Sequence, residues 1–294
     1  MLQTALGPRR ALYRVWSRKW DSMEAGTIRW ADLADRPVQS WGDINAVLDE
    51  LESAGSTGDA APLDRGDVGF VTFDYGIDGV TMEIAKYAAC LERELRDRGI
   101  DPVIHCIGGD FHESADQVLA PHWLRYRIDQ ANGWSKSHDG VWFDRMFREP
   151  MPAHSAESDE VAAATWKLAL GFTRELTDYM TEHGIGLLVP VNVNSNPGNP
   201  AFALAIVLAA ELTGAAVLNS CHDFYWESGK PAEQRKPGEE PGVRDHFFRN
   251  HDNGSFFHFI ERVHPWDGAR WITLVINTLQ RTELIRRSEI PPSR

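Results

Sequence analysis

The chain has 294 residues, 43% of them hydrophobic, which allows one large or two small domains with a sizeable core. Its formal net charge of −13 argues against nucleic acid as a main partner, because phosphate contacts need clustered Lys and Arg. No run approaches the ~20 apolar residues that a membrane span requires, and the first residues do not predict a secretory signal. The three cysteines show no C-x-x-C pairing, which favours reduced thiols and a cytoplasmic location.

Residues 1–66 differ in composition from the rest of the chain and predict a helical extension. Within them, residues 41–52 form a helix candidate that the Ser40 hydroxyl can cap. The small, polar stretch 53–67 carries glycine and proline and is typical of a linker. We therefore expect an amino-terminal extension and linker in residues 1–66 and a regular domain in residues 67–294.

The regular part begins with the pattern of a βαβ unit. VGFVTF (68–73) is a continuous apolar run, as expected for a strand buried on both faces of a parallel sheet. A turn at 74–79 leads into a helical stripe that Gly99 ends, and PVIHCI (102–107) predicts the next strand. The apolar stripe consists of Ile84, Ala88, Leu91 and Leu95.

Helices and strands continue to alternate along the chain. We expect helices at 159–183, 201–212 and 278–288, and strands at 185–191, 215–219 and 271–277. The helix at 201–212 is apolar on all sides, which predicts a buried position, and Asn199-Pro200 supplies its cap and first turn. This alternation predicts an α/β fold, a Rossmann-like doubly wound parallel sheet, because successive parallel strands need crossover connections.

Two further segments predict less regular structure. Asp139-Gly140 within 135–147 is typical of a hairpin, although the surrounding region 111–157 has no clear periodicity. The polar stretch 227–242 predicts a mobile loop.

Three unusual turns follow predicted strands and are expected on one edge of the sheet, where such folds bind ligands. They are Asp74 to Gly79, Asn192 to Asn196 and Cys221 to Glu227. The first turn lacks a G-x-G-x-x-G fingerprint. Gly76 and Gly79, with Asp78 between them, still let backbone amides approach a ligand oxygen, although a tight strand-to-helix connection explains them equally well.

The second turn offers the neutral amides of Asn192, Asn194 and Asn196. Each amide both donates and accepts hydrogen bonds, as sugars and other polyols require. The alternative is local turn chemistry, since Asn tolerates left-handed backbone conformations and bonds nearby backbone groups.

The third turn belongs to the segment NSCHDFYWE (219–227). Aromatic faces suit the C–H faces of sugars, and the polar groups suit hydroxyls. His222 can transfer a proton beside a reacting oxygen, and we expect Asp223, Tyr225, Trp226 and Glu227 to contact a substrate. The alternative is a structural histidine with aromatic side chains that cover the sheet edge.

Other chemistries have weaker patterns. The later histidines show no H-x-x-x-H pair and no cysteine partner, so we expect no metal site. Neither a G-x-S-x-G elbow nor a P-loop occurs, which disfavours hydrolases and kinases.

Three segments resemble retaining glycosyltransferases of the GT-B fold, specifically family 4. The family's opening strand, glycine loop, helix and second strand resemble FVTFDYGIDGVTMEIAKYAACLERELRDRGIDPVIHCIGG. Members with an aromatic H-D-F-Y-W-E motif, including enzymes that build sugar–glycerate compatible solutes, are similar to NVNSNPGNPAFALAIVLAAELTGAAVLNSCHDFYWE. The strand and helix before the interdomain linker resemble WITLVINTLQRTELIRRSEIPPSR.

The resemblance covers residues 67–294 and implies the acceptor-binding half of an enzyme that transfers a hexose from a nucleoside-diphosphate sugar to a small polar acceptor. It implies that His222 lies near the donor sugar and reacting centre. It also implies that Gly76 and Gly79 lie near the diphosphate and the acceptor, where backbone amides stabilise the departing phosphate. No metal and no other cofactor is implied.

The family's donor-binding domain, with its paired glutamates, has no counterpart before Arg294. We therefore expect that domain in cis or as a separate chain, and little or no turnover without it. A different class also fits the sequence, namely a non-catalytic sugar-binding or regulatory subunit. A Rossmann-type oxidoreductase is disfavoured by the missing dinucleotide fingerprint.

Overall fold

A computed structural model describes residues 29–54, 66–133, 145, 151–227, 236–238 and 254–288. The strands are β1 (Val68–Val71), β2 (Asp74–Tyr75), β3 (Ile104–Gly108), β4 (Asp110–Phe111), β5 (Leu124–Arg127), β6 (Leu187–Pro190), β7 (Ala216–Cys221) and β8 (Trp271–Val275). The helices are α1 (Trp30–Ala34), α2 (Trp41–Ala54), α3 (Gly79–Asp97), α4 (Ala156–His183), α5 (Pro200–Thr213), α6 (Gly254–Val263) and α7 (Thr278–Ser288), with a 3-10 turn at Glu113–Gln117.

Six of the strands form one parallel sheet in the order β5-β3-β1-β6-β7-β8. Counted along the chain without the short strands β2 and β4, this is the 3-2-1-4-5-6 order of a Rossmann-like fold. The predicted doubly wound α/β sheet is therefore confirmed. The strand order reverses between β1 and β6, so the ligand crevice of this fold class is expected beyond their carboxyl ends.

One face of the sheet is covered by several helices, with α5 at the centre. Side chains of α2, α4, α5 and α6 share a single hydrophobic core on this face. Every residue of α5 from Ala201 to Ala210 is at most 1% exposed, which confirms the predicted buried helix. Its ends follow the sequence signals, since the Asn199 side chain accepts from the Phe202 amide and Gly214 ends the helix in the left-handed conformation.

The opposite face is covered by α3 over only part of its width. Ile84 and Ala88 of α3 are fully buried against side chains of β1, β3 and β6. The same face of β8 is bare: Ile272 is 54% exposed and Leu274 is 40% exposed. On the neighbouring strand β7, Leu218 pairs with Ile272 and Ser220 pairs with Leu274. An apolar strip of sheet therefore lies open beside α3.

The described part of the amino-terminal region packs on the domain. The Ser40 hydroxyl caps α2 by accepting from the Asp43 amide at 3.2 Å, as the sequence predicts. The Trp41 ring lies 4.9 Å from the Phe256 ring and 5.1 Å from the Phe259 ring, both on α6. Residues of α2 are therefore part of the same hydrophobic core as α5.

The structure adds strands that the sequence does not predict. Strand β5 reads Leu-Arg-Tyr-Arg, lies at the sheet edge and is largely exposed, so it lacks an apolar pattern. Strands β2 and β4 form a small parallel pair, and β2 lies at the start of the predicted turn at 74–79. The predicted hairpin at 135–147 lies outside the described residues apart from Arg145, as do most of the loop 227–242 and residues 55–65 of the linker. Within the described ranges, no helix combines the length and apolar character of a membrane span.

Candidate functional site

The three turns singled out in the sequence follow β1, β6 and β7 at the carboxyl edge of the sheet. The first two flank the point where the strand order reverses. Hydrogen bonds join the second turn directly to the third, because Asn192 contacts Asp223 and the Tyr225 amide donates to the Ser195 carbonyl at 3.0 Å. The predicted convergence of these two turns is therefore present in the structure.

Asn192 is the residue that links the two turns. Its backbone is left-handed, with φ 63°, and its side chain is 9% exposed. Its Oδ1 accepts from the amides of His222 and Asp223 at 3.3 and 2.9 Å, and from the Ser195 hydroxyl at 3.1 Å. Its Nδ2 donates to the Asp223 carboxylate at 2.9 Å. Asn192 therefore holds the His222 turn in place through local turn chemistry.

Asn194 and Asn196 point into the protein. Asn194 is fully buried, and its Nδ2 donates to the carbonyls of Ala203 and Val263 at 3.0 and 3.4 Å. Asn196 is 8% exposed. Among the described residues, neither Asn194 Oδ1 nor Asn196 Oδ1 has a hydrogen-bond partner. Asn194 thus joins α5 to the end of α6 and is not open to a ligand in this structure.

The aromatic residues of the third turn also lie in the interior. Tyr225 is 1% exposed and Trp226 is 9% exposed, and both belong to the main core. Their rings meet at 5.0 Å in an edge arrangement, and the Tyr225 hydroxyl lies 3.4 Å from the Glu261 carboxylate. Because core packing covers these rings, they offer no open face to a sugar here. This placement agrees with the alternative in which they cover the sheet edge.

Glu227 is held within the protein by two neighbours. Its Oε2 accepts from the Phe224 amide at 2.8 Å, and both carboxylate oxygens lie 3.0 Å from Gln280 Nε2. The same Nε2 donates to the His222 carbonyl at 2.7 Å. Gln280, on the first turn of α7, thus fixes the backbone of the candidate catalytic histidine, and the sequence does not indicate this role.

The His222 side chain lies at the open strip of sheet beside α3. Its Nε2 is 3.4 Å from Ser220 Oγ on β7 and 3.5 Å from Glu83 Oε1 on α3. The side chain is 13% exposed and that of Glu83 is 31% exposed, so both can be reached from solvent. Hydrogen bonding to Glu83 raises the pKa of Tyr87, one turn further along α3, and burial adds to this shift.

These contacts assemble a polar group of Glu83, Tyr87, Ser220 and His222, which we call the His222 cluster. Three of its members were not identified from the sequence. Glu83 and Tyr87 are four residues apart and therefore share one face of α3. Ser220 lies in β7 and His222 is the first residue after that strand, two positions further on. The contact between the two pairs depends on how α3 lies across the sheet.

The first turn is organised by its own polar groups. The Asp78 carboxylate caps α3 by accepting from the Thr81 amide at 2.8 Å, and the Gly76 amide donates to the Thr81 hydroxyl at 3.1 Å. A Cβ added to Gly79 would meet no atom of the described chain within 4 Å, so this glycine borders open space. Gly76 is buried and Gly79 is exposed, so Gly79 is the more accessible of the two glycines in this turn.

A separate group near the first turn has the composition of a metal site. Single donor atoms of Asp74, Asp110 and His112 all lie within 4.8 Å of one another. Asn132 Nδ2 donates to Asp74 Oδ1 at 2.8 Å, and Asn199 Nδ2 donates to the Asn132 carbonyl at 3.0 Å. The carboxylate of Asp74 is therefore connected to the cap of α5 through Asn132.

No protein-family model matches the chain, and none of the curated proteins compared with it is similar in sequence.

Proposed function

We propose that this chain is the acceptor-binding half of a retaining glycosyltransferase of GT-B architecture, resembling family 4. The reaction transfers a hexose from a nucleoside-diphosphate sugar to a small polar acceptor. The observation that carries the proposal is the His222 cluster, which places an imidazole beside a carboxylate and a hydroxyl at the carboxyl edge of a Rossmann-like sheet. This is the edge at which such sheets bind their ligands.

The chemistry of the cluster suits contacts with the hydroxyl groups of a sugar. An imidazole both accepts and donates hydrogen bonds, and Glu83 and Tyr87 add a carboxylate and a phenol on the neighbouring helix. Distances of 3.4 and 3.5 Å around His222 are long for hydrogen bonds. In unliganded enzymes such contacts often shorten when substrate binds. We assign to His222 the contact with the reacting sugar and to Glu83 the orientation of its ring.

The geometry of the first turn limits where a phosphate can be held. The amides of Gly76 and Thr81 already donate within the turn, and the Asp78 carboxylate disfavours an anion beside it. The accessible backbone of Gly79 is left as the contact for a departing diphosphate in this proposal. Most of the phosphate binding then falls to a donor-binding domain.

The bare strip of sheet supports the need for such a domain. Ile272, Leu274 and Ile276 are 54%, 40% and 60% exposed, and Leu279 at the start of α7 is 79% exposed. Contiguous exposed apolar side chains are typical of interaction surfaces. We assign the donor-binding domain as the occupant of this strip, since it borders the His222 cluster that the donor sugar must reach.

A non-catalytic sugar-binding or regulatory subunit is the second candidate. It is favoured by the internal hydrogen bonding of Asn192, Glu227 and Asp78, which makes these residues structural. Such a subunit binds saccharides through the exposed polar groups that remain and transfers nothing.

The decisive experiment assays the complete polypeptide that carries this chain with a panel of nucleoside-diphosphate hexoses and small polar acceptors. Product formation with retained anomeric configuration, read by NMR, supports the proposal. His222→Ala is expected to lower kcat by about 10²–10⁴-fold while acceptor affinity changes little, and the exposed His258→Ala is the matched control. Saccharide binding without transfer supports the second candidate, and unchanged turnover in His222→Ala removes the assigned role.

A further inference from the structure

We infer that Asp74, Asp110 and His112 form a binding site for a divalent transition-metal ion such as Zn²⁺, with a coordination position left open for an anionic oxygen ligand. This site is distinct from the His222 cluster and does not rest on the proposed function. One donor atom from each residue lies within 4.8 Å of the other two.

The backbone fixes the relative position of the three side chains. Strands β2 and β4 pair in parallel with Asp74 opposite Asp110, so their side chains stand next to each other on one face. His112 is two residues beyond Asp110 and continues on that side. Its amide donates to the Tyr75 carbonyl at 2.9 Å, which extends the pairing by one step.

The neighbouring residues fill the opposite face of this small sheet. Tyr75 and Phe111, each one position after a site aspartate, stack with ring centroids 4.7 Å apart and planes within 2°. Tyr75 is fully buried, and its hydroxyl donates to the Phe70 carbonyl at 2.7 Å. Because alternate residues of a strand point to opposite faces, this packing directs the aspartates away from the core and toward each other.

Hydrogen bonds orient both carboxylates. Asn132, itself 8% exposed, donates from Nδ2 to Asp74 Oδ1 at 2.8 Å. The Phe111 amide donates to Asp110 Oδ1 at 2.9 Å. Outer hydrogen bonds of this kind hold the ligating atoms of metal sites in position.

Glycines allow the surrounding backbone to approach closely. A Cβ at Gly109 would lie 2.2 Å from the Asn132 backbone nitrogen, so only glycine permits the segment with Asn132 to pack behind Asp110. A Cβ at Gly76 would lie 3.2 Å from the His112 ring. Both close approaches involve residues that carry or support the donor atoms.

The donor set determines the kind of ion. Two carboxylates with one imidazole suit Zn²⁺ and similar transition metals better than Mg²⁺ or Ca²⁺, which prefer oxygen ligands alone. Ligand bonds of about 2.1 Å place tetrahedral donors roughly 3.4 Å apart. Side-chain rotations that move the donor atoms by less than about 1.5 Å therefore bring them to this separation. Three protein ligands leave the fourth position to water or to a carboxylate or phosphate oxygen.

The test measures metal binding by the untagged full-length protein, without any turnover assay. Calorimetric titration with Zn²⁺ and the visible absorption of bound Co²⁺ are expected to report a tight site. Asp110→Asn and His112→Ala are each expected to weaken binding at least ~10-fold, with the fold checked by circular dichroism. Asp129→Asn and His122→Ala serve as controls, because both residues are exposed and neither contributes a donor atom to the site.

The metal-binding measurements either support or overturn the inferred site. Binding that is lost in the site variants and kept in the controls supports the inference. Equal affinity in all proteins, or no Zn²⁺ and no Co²⁺ binding by the parent protein, overturns it. If both single variants lose structure, Asp74→Glu provides a milder change, for which weaker binding with an unchanged circular dichroism spectrum is expected.

Discussion

Two hydrogen bonds join Asn192, in the turn after β6, to Asp223, in the turn after β7. Asn192 Nδ2 donates to the Asp223 carboxylate at 2.9 Å, and Asn192 Oδ1 accepts from the Asp223 amide at 2.9 Å. The two turns that meet at the switch point are therefore held as one unit.

Replacing Asn192 is expected to destabilise the protein. Asn192→Ala removes the bonds to the third turn and places an alanine in a left-handed backbone, so we expect a loss of about 3 kcal/mol in the free energy of unfolding. Asn192→Gly loses the same bonds but accepts the backbone conformation, and should cost about 1 kcal/mol less. Urea denaturation measures both. Equal losses in the two variants would show that the left-handed backbone carries no strain.

A charge introduced at Gln280 is expected to destabilise the same region. Gln280→Glu places a second carboxylate beside Glu227 at a position that is 3% exposed, and it removes the donor to the His222 carbonyl. We expect a loss of about 3 kcal/mol at neutral pH. Burial and the neighbouring charge should raise the pKa of the new carboxyl, so the loss of stability relative to the parent protein should shrink as the pH falls and that group takes up a proton. Gln280→Met is the uncharged control, and its loss should not recover in acid.

The buried histidines predict a loss of stability in mild acid. Burial lowers the pKa of His264 to about 3 and that of His105 to about 4. Both imidazoles stay neutral in the folded protein, whereas the unfolded chain takes up protons below about pH 6.5. Each group thus stabilises the fold above that pH, and its contribution falls by about 1.4 kcal/mol per pH unit as the pH drops toward its folded pKa.

Denaturation curves between pH 7 and pH 4.5 test this prediction. His264→Leu should reduce the slope of the free energy of unfolding against pH by the equivalent of about one proton, because the variant side chain cannot titrate. The exposed His258→Leu should leave the slope unchanged. An unaltered slope in His264→Leu would contradict the assigned origin of the acid sensitivity.

Trp41 tests how far the amino-terminal helix supports the domain. It is 2% exposed and contacts Phe256 and Phe259 of α6. We expect Trp41→Ala to cost about 3–5 kcal/mol and Trp41→Phe to cost less than about 2 kcal/mol, since a ring is kept. Thermal and urea unfolding should show one cooperative loss of structure. A Trp41→Ala variant with parental stability would mean that α2 contributes little to the core.

The elements that the sequence predicts are those with local signals. Strand β1 is a continuous apolar run, and α5 has a cap at Asn199, a proline in its first turn and a glycine at its end. Strand β5 has no such signal, because its arginines alternate at an exposed sheet edge and its pairing with β3 is a long-range contact. Periodicity therefore indicated five of the six strands of the main sheet and missed the charged one.

The candidate site could be predicted only in part for a similar reason. His222 and Asn192 stand out as polar residues directly after apolar strands. Whether a side chain at such a position faces a ligand or the core depends on packing that the local sequence does not encode. The buried Tyr225 and the partly exposed His222 show both outcomes.

The second turn begins the connection into α5, and that placement governs how the molecule can move. A helix with no solvent-facing side has no local route by which its amides reach water, so hydrogen exchange in α5 must follow global unfolding. Asn199, which caps α5, also binds the carbonyls of Gln130 and Asn132 and so extends this slow-exchanging unit to the neighbouring loop. We therefore expect the asparagine turn to be the stationary side of the crevice, and any movement that admits a ligand to come from α3 and the β8 edge.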